Sequence, residues 1–205
     1  MAETKENNYI YDFQEGNKDL KSLLGGKGAN LGEMTDMGLN IPPGFTITTE
    51  ACLEYFEDPE GVMEQLRPEV LKYMEQLEEQ TGKKFGDNEN PLLISVRSGA
   101  PMSMPGMMDT VLNLGLNDQS VLGLAEQTNN PRFAYDSYRR FIQMFGDVVM
   151  GISAEKFERV LDKYKRQKGR NAKDTDLDVD DLKKIIADYK ALYEKEIGNA
   201  FPQDP

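Results

Sequence analysis

The 205 residues carry 24 Lys and Arg against 36 Asp and Glu, with one cysteine and no histidine. The net charge of −12 argues against broad nucleic-acid binding, which relies on clustered cations, yet leaves room for a nucleotide held by a few of them in one pocket. Without histidine these residues hold no imidazole base, imidazole metal ligand or phosphohistidine carrier, and a zinc site is not expected.

Tyr9-Ile10-Tyr11-Asp12-Phe13 reads as a short strand. A helix is expected to begin around Gly25-Gly26-Lys27-Gly28, with apolar positions at 31, 34 and 37. Asn40 to Gly44 carries two prolines and reads as a turn, followed by a strand at 45–49 and a helix from 49 or 50 to about 56. Cys52, in that helix, reads as a small core residue; being single it forms no intrachain disulfide and suits a reducing cytosol. Val62, Leu66, Val70, Tyr73, Met74 and Leu77 make one helical stripe, which Pro68 is expected to break or kink near Arg67.

After a polar loop, Leu92 to Val96 reads as a buried strand leading into Arg97-Ser98. Residues 99–109 have no helical or strand period, and extended structure resumes at 111–115. The pattern beyond Asn117 is helical. Phe133, Tyr138, Phe141, Ile142, Phe145 and Val149 line one helix. Ser153 caps the next, whose apolar face is Phe157, Val160, Leu161 and Tyr164. Leu182, Ile185, Ile186, Tyr189, Tyr193 and Ile197 line the last. The expected architecture is α+β, with an α+β lobe over 1–116 and a helical subdomain over 117–205. No run of about 18 apolar residues is present, so no membrane-spanning helix is expected. The start, Met1 to Glu6, reads as neither a secretory signal nor a transit peptide. The expected location is cytoplasmic.

Three segments bear on chemistry. Glycines at 25, 26 and 28 let a backbone approach a phosphate closely, helix N–H groups are free donors there, and Lys27 adds a mobile charge. The spacing is not that of the nucleoside-triphosphate loop, and a glycine turn with an exposed lysine is the competing reading. Arg97 can fork onto a phosphate, or onto one of the many carboxylates. The stretch Ser103-Met104-Pro105-Gly106-Met107-Met108-Asp109-Thr110 suits a loop that wraps a ligand, with methionines against a nucleobase, or else a methionine-rich core contact. The aromatic run from Phe133 to Phe141 is expected to pack as core and not to stack on bases.

LLGGKGANLGEM, IPPGFTITTEAC, SVRSGAPMSMPGMMDTVLNLGLN and NNPRFAYDSYRRFIQMFGDVVMG occur in that order and span most of residues 9–151. Together they resemble the N-terminal nucleotide-binding domain of the pyruvate, phosphate dikinase family. A sister family, phosphoenolpyruvate synthase, shares the GGKGANLGEM theme and the Val-Arg-Ser step, but SMPGMMDT and RFAYDSYRRF look like the dikinase. The resemblance implies an ATP-grasp fold, of which this chain would be the first lobe and a helical subdomain. It implies conversion of ATP, phosphate and pyruvate to AMP, diphosphate and phosphoenolpyruvate, through a phosphohistidine on a separate swivelling domain. Lys27 and Arg97 would be the phosphate-contacting cations, and Gly25, Gly26, Gly28, Ser98, Ser103, Gly106, Met107, Met108, Asp109 and Thr110 the residues around ATP. Pro101 stands where some members carry arginine, which would leave one phosphate contact fewer. Magnesium would accompany ATP, with its ligands in a second lobe past residue 205. That lobe, the swivelling domain and the nucleotide are the implied partners, with no nucleic acid and no membrane. The full enzyme would be a homodimer and this part a monomer, inactive alone. A phosphoenolpyruvate synthase-like domain, or a non-catalytic interaction module using the acidic helical half, is the alternative.

Overall fold

A computed structural model describes residues 8–99 and 109–205. Their contacts form two compact units, one built from 8–82 with 98–99, the other from 83–97 with 109–205. The architecture is α+β, with seven α-helices and two two-stranded antiparallel sheets among the described residues.

In the first unit, aromatic and β-branched residues form β1 (Ile10–Asp12) and β2 (Phe45–Ile47), with Ile10 opposite Ile47. Between them runs α1 (Lys21–Asp36). Thr48 caps α2 (Thr49–Glu57) by accepting from the Ala51 N–H at 3.2 Å. Asp58 caps α3 (Pro59–Thr81), where Pro59 takes the first position, at which no N–H is needed. The interruption expected near Arg67 does not end α3. Pro68 lies on its exposed side, and Val62, Leu66 and Leu77 are buried before and beyond it, so packing on both sides outweighs the lost backbone bond. The core joins Tyr9, Ile10, Ala51, Val62 and Leu66, with Phe45, Val70 and Tyr73 against it. Cys52 is not part of it. Ala51 takes the buried place on α2 and leaves Cys52 exposed.

In the second unit, β3 (Ile94–Arg97) and β4 (Thr110–Leu114) pair antiparallel, with Arg97 opposite Thr110 and a bulge between Ile94 and Val96. The strand expected to be buried is largely open. Leu92 is buried just before it, but Ser95, Val96 and Arg97 are exposed; successive side chains alternate between faces, so neither face of this strand is covered there. Val111 and Leu116 enter the same core as the helices that follow. Contacts therefore group β3 and β4 with those helices, whereas the sequence pattern changes at 116/117.

Those helices are α4 (Ser120–Thr128), α5 (Pro131–Met144), α6 (Ala154–Lys168) and α7 (Val179–Ile197). Tyr138, Ile142, Phe157, Leu161, Leu182, Ile185 and Tyr189 interlock at their centre, nearly free of solvent. After α5 the chain widens into a π turn, Phe145–Val149, with the Met150 N–H donating to the Phe145 carbonyl at 3.1 Å. The wider turn rotates Val149 outward, and Phe133 in the first turn of α5 is also exposed, so two of the six positions expected to line that helix lie off its buried face. Ser153 does sit at the start of α6, but its side chain makes no capping bond.

Asp178 caps α7 in a reciprocal arrangement with Asp181. Lys168, bonded to its carboxylate at 2.7 Å, and the Asp181 N–H hold the Asp178 carboxyl at about 2, below its usual 3.8. A depressed carboxyl stabilises the fold above its unfolded value and loses that contribution as pH falls through the folded one. Protection of the Asp181 amide from exchange, relative to an unstructured peptide at the same pH, is therefore expected to fall between about pH 4 and pH 2, and Asp178→Asn to remove that step. Protection that stays constant over that range would contradict this cap.

Candidate functional site

The glycine–lysine segment lies inside α1. Gly25 has φ 70° and ψ 170°, a conformation outside the helical region that breaks the hydrogen-bond ladder, so the helix restarts at Gly26. The N–H groups just after such a break lack the preceding carbonyls of a regular helix and remain available to an acceptor. They also carry the positive end of the helix dipole. Gly28 is glycine for a different reason. A Cβ there would stand 2.9 Å from Cγ2 and Oγ1 of Thr46 on β2, so the close approach of β2 by itself calls for a small residue.

Lys27 is exposed at this restart, and its Nζ donates to the Ser98 carbonyl oxygen at 3.1 Å. The structure thus brings together two residues singled out in the sequence, Lys27 and Ser98. The Ser98 contribution is a backbone carbonyl, which no side-chain motif announces. Arg97 is exposed at the end of β3, and Thr110 is its cross-strand neighbour on β4. Asp109, exposed, immediately precedes that strand. Pro101, Ser103, Gly106, Met107 and Met108 lie outside the described residues. Among the described residues no group of three or more His, Cys, Asp or Glu is placed to hold a metal ion. None forms a helix long and apolar enough to cross a membrane.

The helical unit has polar networks of its own, which the sequence patterns did not single out. Arg139, 2% exposed, bonds Asp136 at 2.8–2.9 Å and Gln143 at 3.2 Å, and lies 3.7 Å from Asp174. Burial pushes the neighbouring Tyr189 hydroxyl up to about 12, with the Arg139 guanidinium opposing that rise. A cleft of about 290 Å³ opens beside α4, α5 and α7, floored by Val121, Tyr138 and Ile186. Its cations are already engaged: Lys190 pairs with Asp118 at 2.6 Å, and Lys183 rests over the Tyr135 ring. The arrangement consolidates the helices and leaves little free charge for a ligand.

In this α+β chain the interrupted helix start at Gly26 sets backbone N–H groups close to the Lys27 ammonium, an arrangement of the kind that can receive an anion. The family model for "Pyruvate phosphate dikinase, AMP/ATP-binding domain" matches residues 21–67, which contain that start. The chain is 54% identical to the pyruvate, phosphate dikinase of Clostridium symbiosum over 198 residues, 96% of this chain and 22% of the relative. Pyruvate, phosphate dikinase 1, chloroplastic, of Arabidopsis thaliana is 56% identical over 191 residues, 93% of this chain and 20% of the relative. That of Rhizobium meliloti is 51% identical over 201 residues, again 96% of this chain and 22% of the relative. The chain belongs to the pyruvate, phosphate dikinase family. It spans about a fifth of the length of these relatives.

Proposed function

We propose that this chain contributes the first lobe of an ATP-grasp domain and its helical subdomain, over 1–116 and 117–205, to a pyruvate, phosphate dikinase. The observation that carries the reading is 54% identity to one such enzyme across 96% of the chain. By family resemblance, the whole protein would convert ATP, phosphate and pyruvate to AMP, diphosphate and phosphoenolpyruvate through a phosphohistidine. The carrier lies elsewhere in the enzyme, since these residues contain no histidine.

Lys27 and the helix start at Gly26 neutralise charge that shifts along the triphosphate as the histidine attacks. The Ser98 carbonyl, which holds Lys27 at 3.1 Å without neutralising it, keeps the ammonium in place between nucleotides. Arg97 serves as the second cation, and Gly25, Gly28, Ser103, Gly106, Met107, Met108, Asp109 and Thr110 surround the phosphates by family resemblance. Magnesium arrives with ATP and takes its protein ligands from a second lobe. That lobe and a swivelling domain are the intramolecular partners. We read the whole enzyme, by family resemblance, as a cytoplasmic homodimer; the single cysteine of these 205 residues suits a reducing compartment.

Calorimetric titration of the chain with ATP and Mg2+ is expected to give weak binding, about millimolar, because only part of the clamp is present. Lys27→Ala should weaken it about tenfold, one charge-assisted contact's worth. Its Tm should stay unchanged, since the side chain is exposed. Equal binding by the variant would sink the assignment of Lys27. Sustained ATP/AMP/diphosphate exchange by the chain alone would sink the claim that it supplies only part of the machinery.

A further inference from the structure

A helix of a globular domain normally turns its apolar residues inward, and α2 does the reverse. It buries Ala51, and Glu54 meets the Tyr9 hydroxyl on the inner side. Leu53 is 66% exposed, Tyr55 44% and Phe56 78%. Tyr55 and Phe56 pack edge to face on the outside, 6.3 Å between centroids, with Cys52 beside them at helical spacing. Four consecutive-face apolar side chains left to water on one short helix mark a contact surface.

Its surroundings have one sign. From Gly28 to Leu66 there is no Lys or Arg, while eight carboxylates fall in the same interval. Of these Glu50, Glu57, Asp58, Glu60 and Glu64 lie on α2, at its end or in the first turns of α3, all exposed. The face is therefore an apolar centre with an acidic rim. A second copy of this chain fits it poorly, because a two-fold interface would set that rim against itself. The charge pattern calls for a surface that is apolar at its centre and edged with Lys and Arg. Relatives of which this chain matches only 22% have ample further chain to supply one.

We propose that the outer face of α2, centred on Leu53 and Phe56, is an internal docking surface for the part of the dikinase polypeptide that lies outside these 205 residues, and that this part brings a basic-rimmed apolar patch. The inference rests on family membership and not on the phosphate site, so a failure of ATP binding would leave it standing.

Cys52 reports on the face directly. Its alkylation by iodoacetamide would be followed by peptide mass spectrometry in the isolated chain and in a chimera. In the chimera, this chain replaces the matching 198 residues of the Clostridium symbiosum enzyme. Alkylation is expected to be at least about tenfold slower in the chimera, and Phe56→Asp should restore the fast rate without lowering the Tm of the isolated chain. Equal rates in a chimera that melts cooperatively would overturn the proposal. So would slow, dilution-sensitive alkylation of the chain alone, which would assign the face to a second copy. Should the chimera not fold, the remaining four-fifths of the Clostridium enzyme would be titrated onto the chain in trans. Binding weakened at least tenfold by Phe56→Asp supports the proposal, and no binding overturns it.

Discussion

Phe201→Ala is expected to destabilise the helical unit by about 4 kcal/mol, the usual cost of emptying a buried aromatic site. Phe201 is 4% exposed and lies at the centre of four rings: Tyr193 at 5.2 Å, Phe145 at 5.7 Å, Phe141 at 5.8 Å and Tyr138 at 6.5 Å. All four contacts are edge to face, the geometry in which aromatic pairs add to simple area burial. The ring is delivered by an otherwise irregular segment, which could leave the surface if nothing held it. Gln203 holds it: its carbonyl accepts from Asn117 Nδ2 and its side-chain oxygen from the Asp118 N–H, both at 2.9 Å. The same Asp118 receives Lys190 and the Tyr138 hydroxyl. Loss of the ring therefore opens a cavity and loosens the polar strap together. Thermal denaturation should show a Tm lower by about 10 °C. A drop of under about 2 °C would mean that the segment is a loose end and not part of the core.

Periodicity made α6 and α7 legible: Phe157, Leu161, Tyr164, Leu182, Ile185, Ile186, Tyr189 and Tyr193 are buried, and Val160 and Ile197, also expected on those faces, are partly buried against them. Cys52 reads as core because a free cysteine is usually a small buried hydrophobe, but residue type does not say which face of α2 it takes, and it is exposed. Phe133 is exposed, while its neighbour Arg132 makes the inward contacts, donating to the carbonyls of Leu177 and Asp174. Val149 was lost to one extra residue in the π turn, a register change without a composition signal. Of the candidate site, the helix start and Lys27 were readable because glycines and a lysine must be written in the sequence to exist. The Ser98 carbonyl that holds Lys27 was not, because every residue owns a carbonyl and only the fold selects one.

Gly32→Ala is expected to be the most damaging single methyl group in the first unit. The added Cβ would stand 2.4 Å from both the carbonyl carbon and the carbonyl oxygen of Gly16, and 2.7 Å from its Cα. All three atoms are backbone, so no rotamer relieves the clash, and either α1 or the turn at Gly16 must move by about an ångström. Overpacking of this kind costs about 3 kcal/mol or more. Gly28→Ala is the internal control: its Cβ would stand 2.9 Å from both γ atoms of Thr46 and 3.2 Å from Leu24 Cβ, less close than the Gly16 backbone is to a Cβ at 32, so the cost should be about half as large. The consequence reaches the site. Gly32 is six residues along the same helix from Gly26, about 9 Å by helical rise, and touches no predicted phosphate contact. Yet it sets how closely α1 lies against the chain at Gly16, and through α1 where the N–H groups after Gly25 and the Lys27 ammonium are held. ATP affinity of Gly32→Ala should therefore fall at temperatures where circular dichroism still reports a folded chain, while Gly28→Ala changes affinity less than stability. A variant with native Tm and native affinity would show that the close approach of α1 to Gly16 does not position the helix start, and that Lys27 is held by Ser98 alone.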